Sequence, residues 1–236
     1  MTLIVAVICP EGIVLAADSK RTHQVQKPGL DGYLIVQDAD FTALVDKIIL
    51  TDNNVAIGVQ GDANVKDQGI NQYLDDFIQS NPKLDVHQFA EVFGNQLFQE
   101  SEVGAMRIFI AGYATVKGVS APHLYEIITE QRTIEDYRSK FPTARWIGET
   151  DIMDRLFTPY TAFKNDNGQS VGILNYVFPY QAYTLQSAVD YAVLGIETTI
   201  RVMALQNRKQ TVGFPIDVLV MTSSGVQWLQ KRELKA

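Results

Sequence analysis

Residues 2–18 read TLIVAVICPEGIVLAAD. Thr2 to Ile8 is dense in β-branched and other apolar residues, the composition of a strand. Pro10-Glu11-Gly12 follows as a turn, because proline fixes φ and glycine adds freedom. Ile13 to Ala17 is a second apolar run. The two runs predict a β-hairpin that sets the start of the chain beside Asp18.

Working outward, residues 19–44 are more polar, with turn signals at Lys27-Pro28-Gly29 and Asp31-Gly32. Val45–Leu50 and Val55–Val59 predict another strand pair, turning over residues 51–54. From Asp62 to Ser80 the period changes. Val65, Ile70, Tyr73, Leu74, Phe77 and Ile78 suggest helical spacing, which Asn81-Pro82 ends. A second helix is predicted from Asp85, a candidate N-cap, through Phe89, Val92, Phe93, Leu97 and Phe98. Strands return at Arg107–Thr115 and His123–Glu130, and helices near 151–157 and over 185–205. Ile216–Thr222 and Gly225–Leu229 predict a closing hairpin. Strands, two helices, strands, helices and strands, without βαβ alternation, point to an α+β layered fold with antiparallel sheets. No repeat or linker divides the chain, so residues 1–236 are expected to form one domain.

The composition is that of an ordinary globular protein, with 46% hydrophobic and 20% charged residues. A net charge of −7 argues against nucleic acid or an anionic membrane as the partner. The N-terminus lacks a basic region and its apolar run is broken at Pro10, so it is not a signal peptide. No stretch approaches the roughly eighteen apolar residues of a membrane span. A cytoplasmic protein is expected. One cysteine, Cys9, rules out an intrachain disulfide framework and reads as a buried thiol. His23, His87 and His123 are far apart in sequence and lack metal-ligand spacing, so neither a metal nor another cofactor is expected.

Phosphate-loop, HExxH, paired CxxC and GxSxG motifs are all absent. The opening Thr2-Leu3-Ile4-Val5-Ala6-Val7, with Gly12-Ile13-Val14-Leu15-Ala16-Ala17-Asp18-Ser19-Lys20-Arg21-Thr22, resembles that of proteasome β subunits and the bacterial peptidase HslV. The likeness continues at Asp46-Lys47-Ile48 and Gly61-Asp62-Ala63. Trp146-Ile147-Gly148-Glu149-Thr150, Thr198-Thr199-Ile200-Arg201 and Thr211-Val212-Gly213-Phe214-Pro215-Ile216-Asp217 look closest to the bacterial proteasome-like Anbu branch. The resemblance implies the four-layer αββα sandwich of N-terminal-nucleophile hydrolases. It matches Thr2 to the nucleophile, Asp18 to the buried carboxylate, Lys47 to the active-site lysine and Gly61 to the backbone oxyanion donor. Thr22, Val45, Val59 and Ala63 fall at substrate-binding positions. Between Asp18 and Lys47 the chain is longer than typical family members, and the extra length is placed in Gln24–Thr42 as a loop near the site.

The chemistry is coherent without the family. A threonine hydroxyl needs a base within hydrogen-bond reach. A threonine exposed by removal of Met1 has one in its own α-amine, whose pKa lies near ~7.7–8. A lysine beside that amine lowers its pKa by like-charge repulsion, and a carboxylate partner keeps the lysine charged. Two departures stand out. The family's usual serine after the later glycine is replaced by Glu149, and the Asp and Ser ahead of the last strand pair correspond to Lys209 and Val212, with Thr211 nearby. Glu149 and Thr211 are therefore auxiliary candidates. The resemblance further implies peptide or unfolded-protein substrates, a homo-oligomer of six or more chains and an ATP-dependent unfoldase as a candidate partner. Two other readings share these residues: a non-catalytic ring-forming subunit, and an amidohydrolase of a small amide.

Overall fold

The computed structural model describes residues 2–20, 23–28, 34–39, 45–61, 64–116, 118–137, 142–174 and 176–231. Strands β1 (Leu3–Cys9) and β2 (Gly12–Asp18) form the predicted hairpin, and every residue of both is buried. Burial on both faces explains the unbroken apolar runs, since a strand with one wet face would alternate with polar residues. The two faces still separate with period two. Leu3, Val5, Val7 and Cys9 join one apolar cluster, while Ile4, Ala6 and Ile8 join another.

After β2 come β3 (His23–Pro28) and β4 (Leu34–Ala39), paired as a two-stranded hairpin with His23 opposite Ala39. The segment expected to be a loop thus contains regular structure. Next are β5 (Ile48–Leu50) and β6 (Ala56–Gly61), a shorter first strand than the predicted Val45–Leu50. The short β7 (Asn64–Val65) and β8 (Gln68–Gly69) follow, then α1 (Ile70–Ser80) and α2 (Val86–Gln99). The helix predicted from Asp62 therefore starts at Ile70. Lys66 has φ +53° in the turn between β7 and β8, and Val65 is bridged to Val103 rather than to the helix. Val65 and Ile70 are five residues apart, a spacing that does not continue the helical stripe. Asp85 caps α2 as expected. Its carboxylate accepts from the Gln88 N–H, and the Gln88 side chain accepts from the Asp85 N–H. Such a capping box satisfies two otherwise orphaned donors and a cap is worth about 1 kcal/mol.

Strands β9 (Met106–Val116), β10 (Val119–Ile128), β11 (Thr133–Asp136) and β12 (Thr143–Gly148) lead to α3 (Asp151–Leu156). A separate hairpin, β13 (Tyr160–Lys164) with β14 (Ser170–Leu174), precedes α4 (Leu185–Leu205), and β15 (Ile216–Thr222) and β16 (Gly225–Gln230) close the chain. Strand orders are β12-β1-β2-β15-β16 in one sheet and β11-β10-β9-β6-β5 in the other. Every described pairing is antiparallel.

One apolar cluster joins the two large sheets, with Ile4, Leu15 and Leu219 meeting Ala56, Phe109 and Leu124. A second sets Ala188, Tyr191, Ile196 and Ile200 of α4 against Leu3, Val5 and Val14. A third sets Leu74 and Phe77 of α1 and Phe89 and Phe93 of α2 against Ile57, Ile108 and Ile127. The fold is thus mixed α/β with antiparallel sheets. Among the described residues, no helix is long and apolar enough to cross a membrane.

Candidate active site

The hairpin fixes the site. Because Ile4 pairs with Ala17, the next positions outward bring the main chain of Leu3 to the Asp18 side chain. The Asp18 carboxylate is fully buried and accepts four hydrogen bonds. Oδ1 accepts from the Leu3 N–H at 2.9 Å and from Lys47 Nζ at 2.6 Å. Oδ2 accepts from the N–H groups of Lys20 at 3.2 Å and Gly213 at 3.0 Å. Lys47 is itself only 5% exposed. Burial lowers the pKa of its ammonium, while the neighbouring Asp18 and, more weakly, Asp217 act in the opposite direction. One carboxylate oxygen therefore holds both a buried cation and the residue that follows Thr2.

Thr2 is buried, and its carbonyl accepts from the Glu149 N–H at 2.8 Å. The chain can approach so closely because residue 148 is glycine. Gly148 has φ +106°, and a Cβ there would lie 1.7 Å from the Thr2 carbonyl oxygen and 3.2 Å from Gln60 Cγ. Gln60 precedes Gly61, the last residue of β6, which has φ +115° and where a Cβ would lie 2.1 Å from the Ala105 carbonyl oxygen. Both positions demand glycine. The Val59 N–H donates to the Lys47 carbonyl at 3.2 Å, which closes the circuit from Thr2 through Gly148, Gln60, Val59 and Lys47 back to Asp18.

Of the residues singled out from the sequence, Thr2, Asp18 and Lys47 meet at one end of the inter-sheet layer, with Gly61 beside Gln60 on the facing strand. Thr22 and Ala63 lie outside the described residues. Val45 is tied to Ser19 by an N–H to carbonyl bond of 3.0 Å, but it and Lys47 precede β5, so strand alternation does not put them on one face. Val59 packs with the cluster beneath α1 and α2. Glu149 serves Thr2 through its main chain, and its carboxylate lies 3.9 Å from Arg208. Thr211 is buried, and among the described residues its hydroxyl has no hydrogen-bond partner.

Two residues escaped the sequence reading. Ser19 Oγ donates to Asp217 Oδ2 at 3.1 Å, and both side chains are buried. The available signal was a lone acidic residue in the apolar strand Ile216–Thr222. The histidines also group differently than their sequence separation implied. His87 and His123 rings have centroids 4.2 Å apart, and His87 Nδ1 hydrogen-bonds the Tyr125 hydroxyl. Among the described residues, no group of three or more His, Cys, Asp or Glu side chains is placed to hold a metal ion.

This architecture matches solved structures over nearly its whole length. An Anbu (Gly-1) mutant from Hyphomicrobium sp. strain MC1 superposes with a TM-score of 0.62 at 17% identity, covering 98% of this chain and 86% of that one. The fold is that of Anbu. A second Anbu, described as an ancestral beta-subunit, from Yersinia bercovieri, gives a TM-score of 0.57 at 15% identity and covers 98% of this chain and 88% of its own. No family model and no curated protein matches the sequence. At these identities the likeness to Anbu is one of fold, and the chemistry has to be argued from the side chains.

Proposed function

We propose that the chain is a proteasome-like threonine peptidase whose nucleophile is Thr2 after removal of Met1. The observation that carries this reading is the Asp18 carboxylate, which bonds Lys47 Nζ and the Leu3 N–H through the same oxygen. On this reading the Thr2 hydroxyl attacks the substrate carbonyl and its proton passes to the α-amine. Lys47, held by Asp18, favours the neutral amine and stabilises charge developing on the hydroxyl oxygen. The Gly61 N–H stabilises the tetrahedral oxyanion, a contact whose loss typically costs about 3–4 kcal/mol. The proton returns to the leaving amine as the C–N bond breaks, and water then hydrolyses the ester on Thr2, with the α-amine again serving as base.

The same reading takes the sheets and helices as one four-layer αββα domain and the working protein as a cytoplasmic homo-oligomer of six or more chains that encloses its sites. Peptides or unfolded proteins are the substrates, and an ATP-dependent unfoldase would deliver the latter. Val45 is tied through its main chain to Ser19 and Val59 to Lys47; on this reading both uncharged residues border the specificity pocket, so a preference for an apolar residue before the cut follows from the cost of burying an unpaired charge.

The test is the intact mass of the purified protein before and after a threonine-reactive β-lactone, followed by a fluorogenic peptide panel. The expected result is a chain starting at Thr2, one adduct per chain that Thr2→Ala abolishes, and faster cleavage after leucine than after arginine or glutamate. A fully active enzyme that retains Met1 would refute the mechanism. Labelling without cleavage of any peptide would turn the reading toward a small amide.

A further inference from the structure

We propose that Asp217, fixed by Ser19, is a positioning residue that supports the charge and placement of Lys47. The proposal rests on the peptidase reading for its effect on turnover, but its structural content is independent of it. Asp217 pairs with Ala17 across β2 and β15, one register step from the Asp18–Ile216 pair. Strand alternation places it on the same face as Leu219 and Met221, which belong to the layer between the sheets. Ile48, the residue after Lys47, belongs to that layer too. Two buried carboxylates from adjacent strands therefore flank the segment that presents Lys47.

Ser19 links them. It follows Asp18 directly, and its hydroxyl donates to Asp217 at 3.1 Å. Its N–H is shared between the carbonyls of Gly213 and Pro215, at 3.3 and 3.0 Å, and its own carbonyl accepts from the Val45 N–H at 3.0 Å. One residue thus ties the end of β2 to the segment entering β15 and to the segment bearing Lys47. A buried lysine loses its proton easily, and Asp217 opposes that loss alongside Asp18. Among the described residues, Asp18 on β2 and, more weakly, Asp217 on β15 act on the Lys47 ammonium, and Lys20, just after Asp18, lays its stem over Gly213.

Asp217→Asn tests the idea, because an amide oxygen still accepts from Ser19 while the charge is gone. Two readouts are needed: the pH profiles of kcat and KM on a leucine peptide, and the titration of Lys47 followed by its 13Cε resonance in the full chain. A full charge at separations up to ~10 Å shifts a buried group by about one pH unit. The expected result is a Lys47 midpoint lower by about that unit, kcat lower by about tenfold at the alkaline limb, and KM within about twofold. An unchanged midpoint in a folded Asp217→Asn chain would overturn the proposal. A lowered midpoint in a protein that cleaves no peptide would uphold the positioning role and refute the peptidase reading instead. Should Asp217→Asn fail to fold, Ser19→Ala decides: a smaller fall in the midpoint supports the proposal, and no fall overturns it.

Discussion

Replacing Asp18 by asparagine removes one oxygen from a carboxylate that serves four donors. The amide can point its oxygen toward Leu3 and Lys47, or toward Lys20 and Gly213. In either orientation its NH2 faces two N–H donors. The first orientation keeps the acceptor for the ammonium, so Lys20 and Gly213 lose theirs. The Lys20 N–H is only partly buried and can find water, but the Gly213 N–H is buried and stays unpaired. An unsatisfied buried donor costs about 1–3 kcal/mol. The Lys47 ammonium, 5% exposed, also loses its counter-charge. Breaking one side of a buried ion pair costs about 3–5 kcal/mol, partly relieved when the lysine sheds its proton. A total loss of about 3–5 kcal/mol is expected, a large share of an ordinary domain's ~5–15 kcal/mol. Urea denaturation of wild type, Asp18→Asn, Lys47→Met and the double variant measures it. The double variant should be more stable than the sum of the singles allows, by about 1–3 kcal/mol, because methionine needs no counter-charge. An Asp18→Asn loss under about 1 kcal/mol, or strict additivity, would refute this account of the site.

Three further outcomes are expected, two at this site and one at a separate buried carboxylate. Gly148→Ala puts a methyl group onto the Thr2 carbonyl at a φ that L-residues avoid, so loss of the β1–β12 pairing at Leu3 and of all Thr2 labelling is expected, read by hydrogen exchange and β-lactone mass shift. Lys47 has a folded pKa below its ordinary value, so the unfolded chain binds the extra proton; stability should rise with pH from that lowered pKa up to about 10.4 and the rise should vanish in Lys47→Met, as urea melts across pH 8–10.5 will show. Tyr137→Phe removes the hydroxyl that donates at 2.7 Å to the buried Glu126, leaving that carboxylate to the half-exposed Arg107, and should cost about 1–3 kcal/mol in the same assay.

How much of this was legible in the sequence depends on the range over which each feature is decided. The β1–β2 hairpin, the capped start of α2 and the span of α4 are local: a β-branched run, an Asp85–Gln88 box and a sustained helical stripe each specify their own structure. The β7–β8 turn was misread because Val65 is an apolar residue placed by Val103, far along the chain, and not by its neighbours. In the β3–β4 hairpin, His23–Pro28 carries no apolar alternation by which a strand is recognised, and the apolar run Leu34-Ile35-Val36 of β4 is too short to stand out in a polar segment. The candidate site divides in the same way. Thr2, Asp18, Lys47 and Gly61 are picked out within the first 61 residues by a resemblance to proteasome β subunits, which their order and spacing support, and the structure brings their segments together. Ser19 and Asp217 are 198 residues apart, and the Gly213 N–H reaches Asp18 across 195. No local pattern marks such pairs. What could have marked Asp217 is an energetic argument: a carboxylate alternating with isoleucine, valine and leucine in a buried strand is too costly to keep without partners. A charge in such a place therefore implies a built polar site around it, and here the Ser19 hydroxyl and the buried Lys47 ammonium answer it.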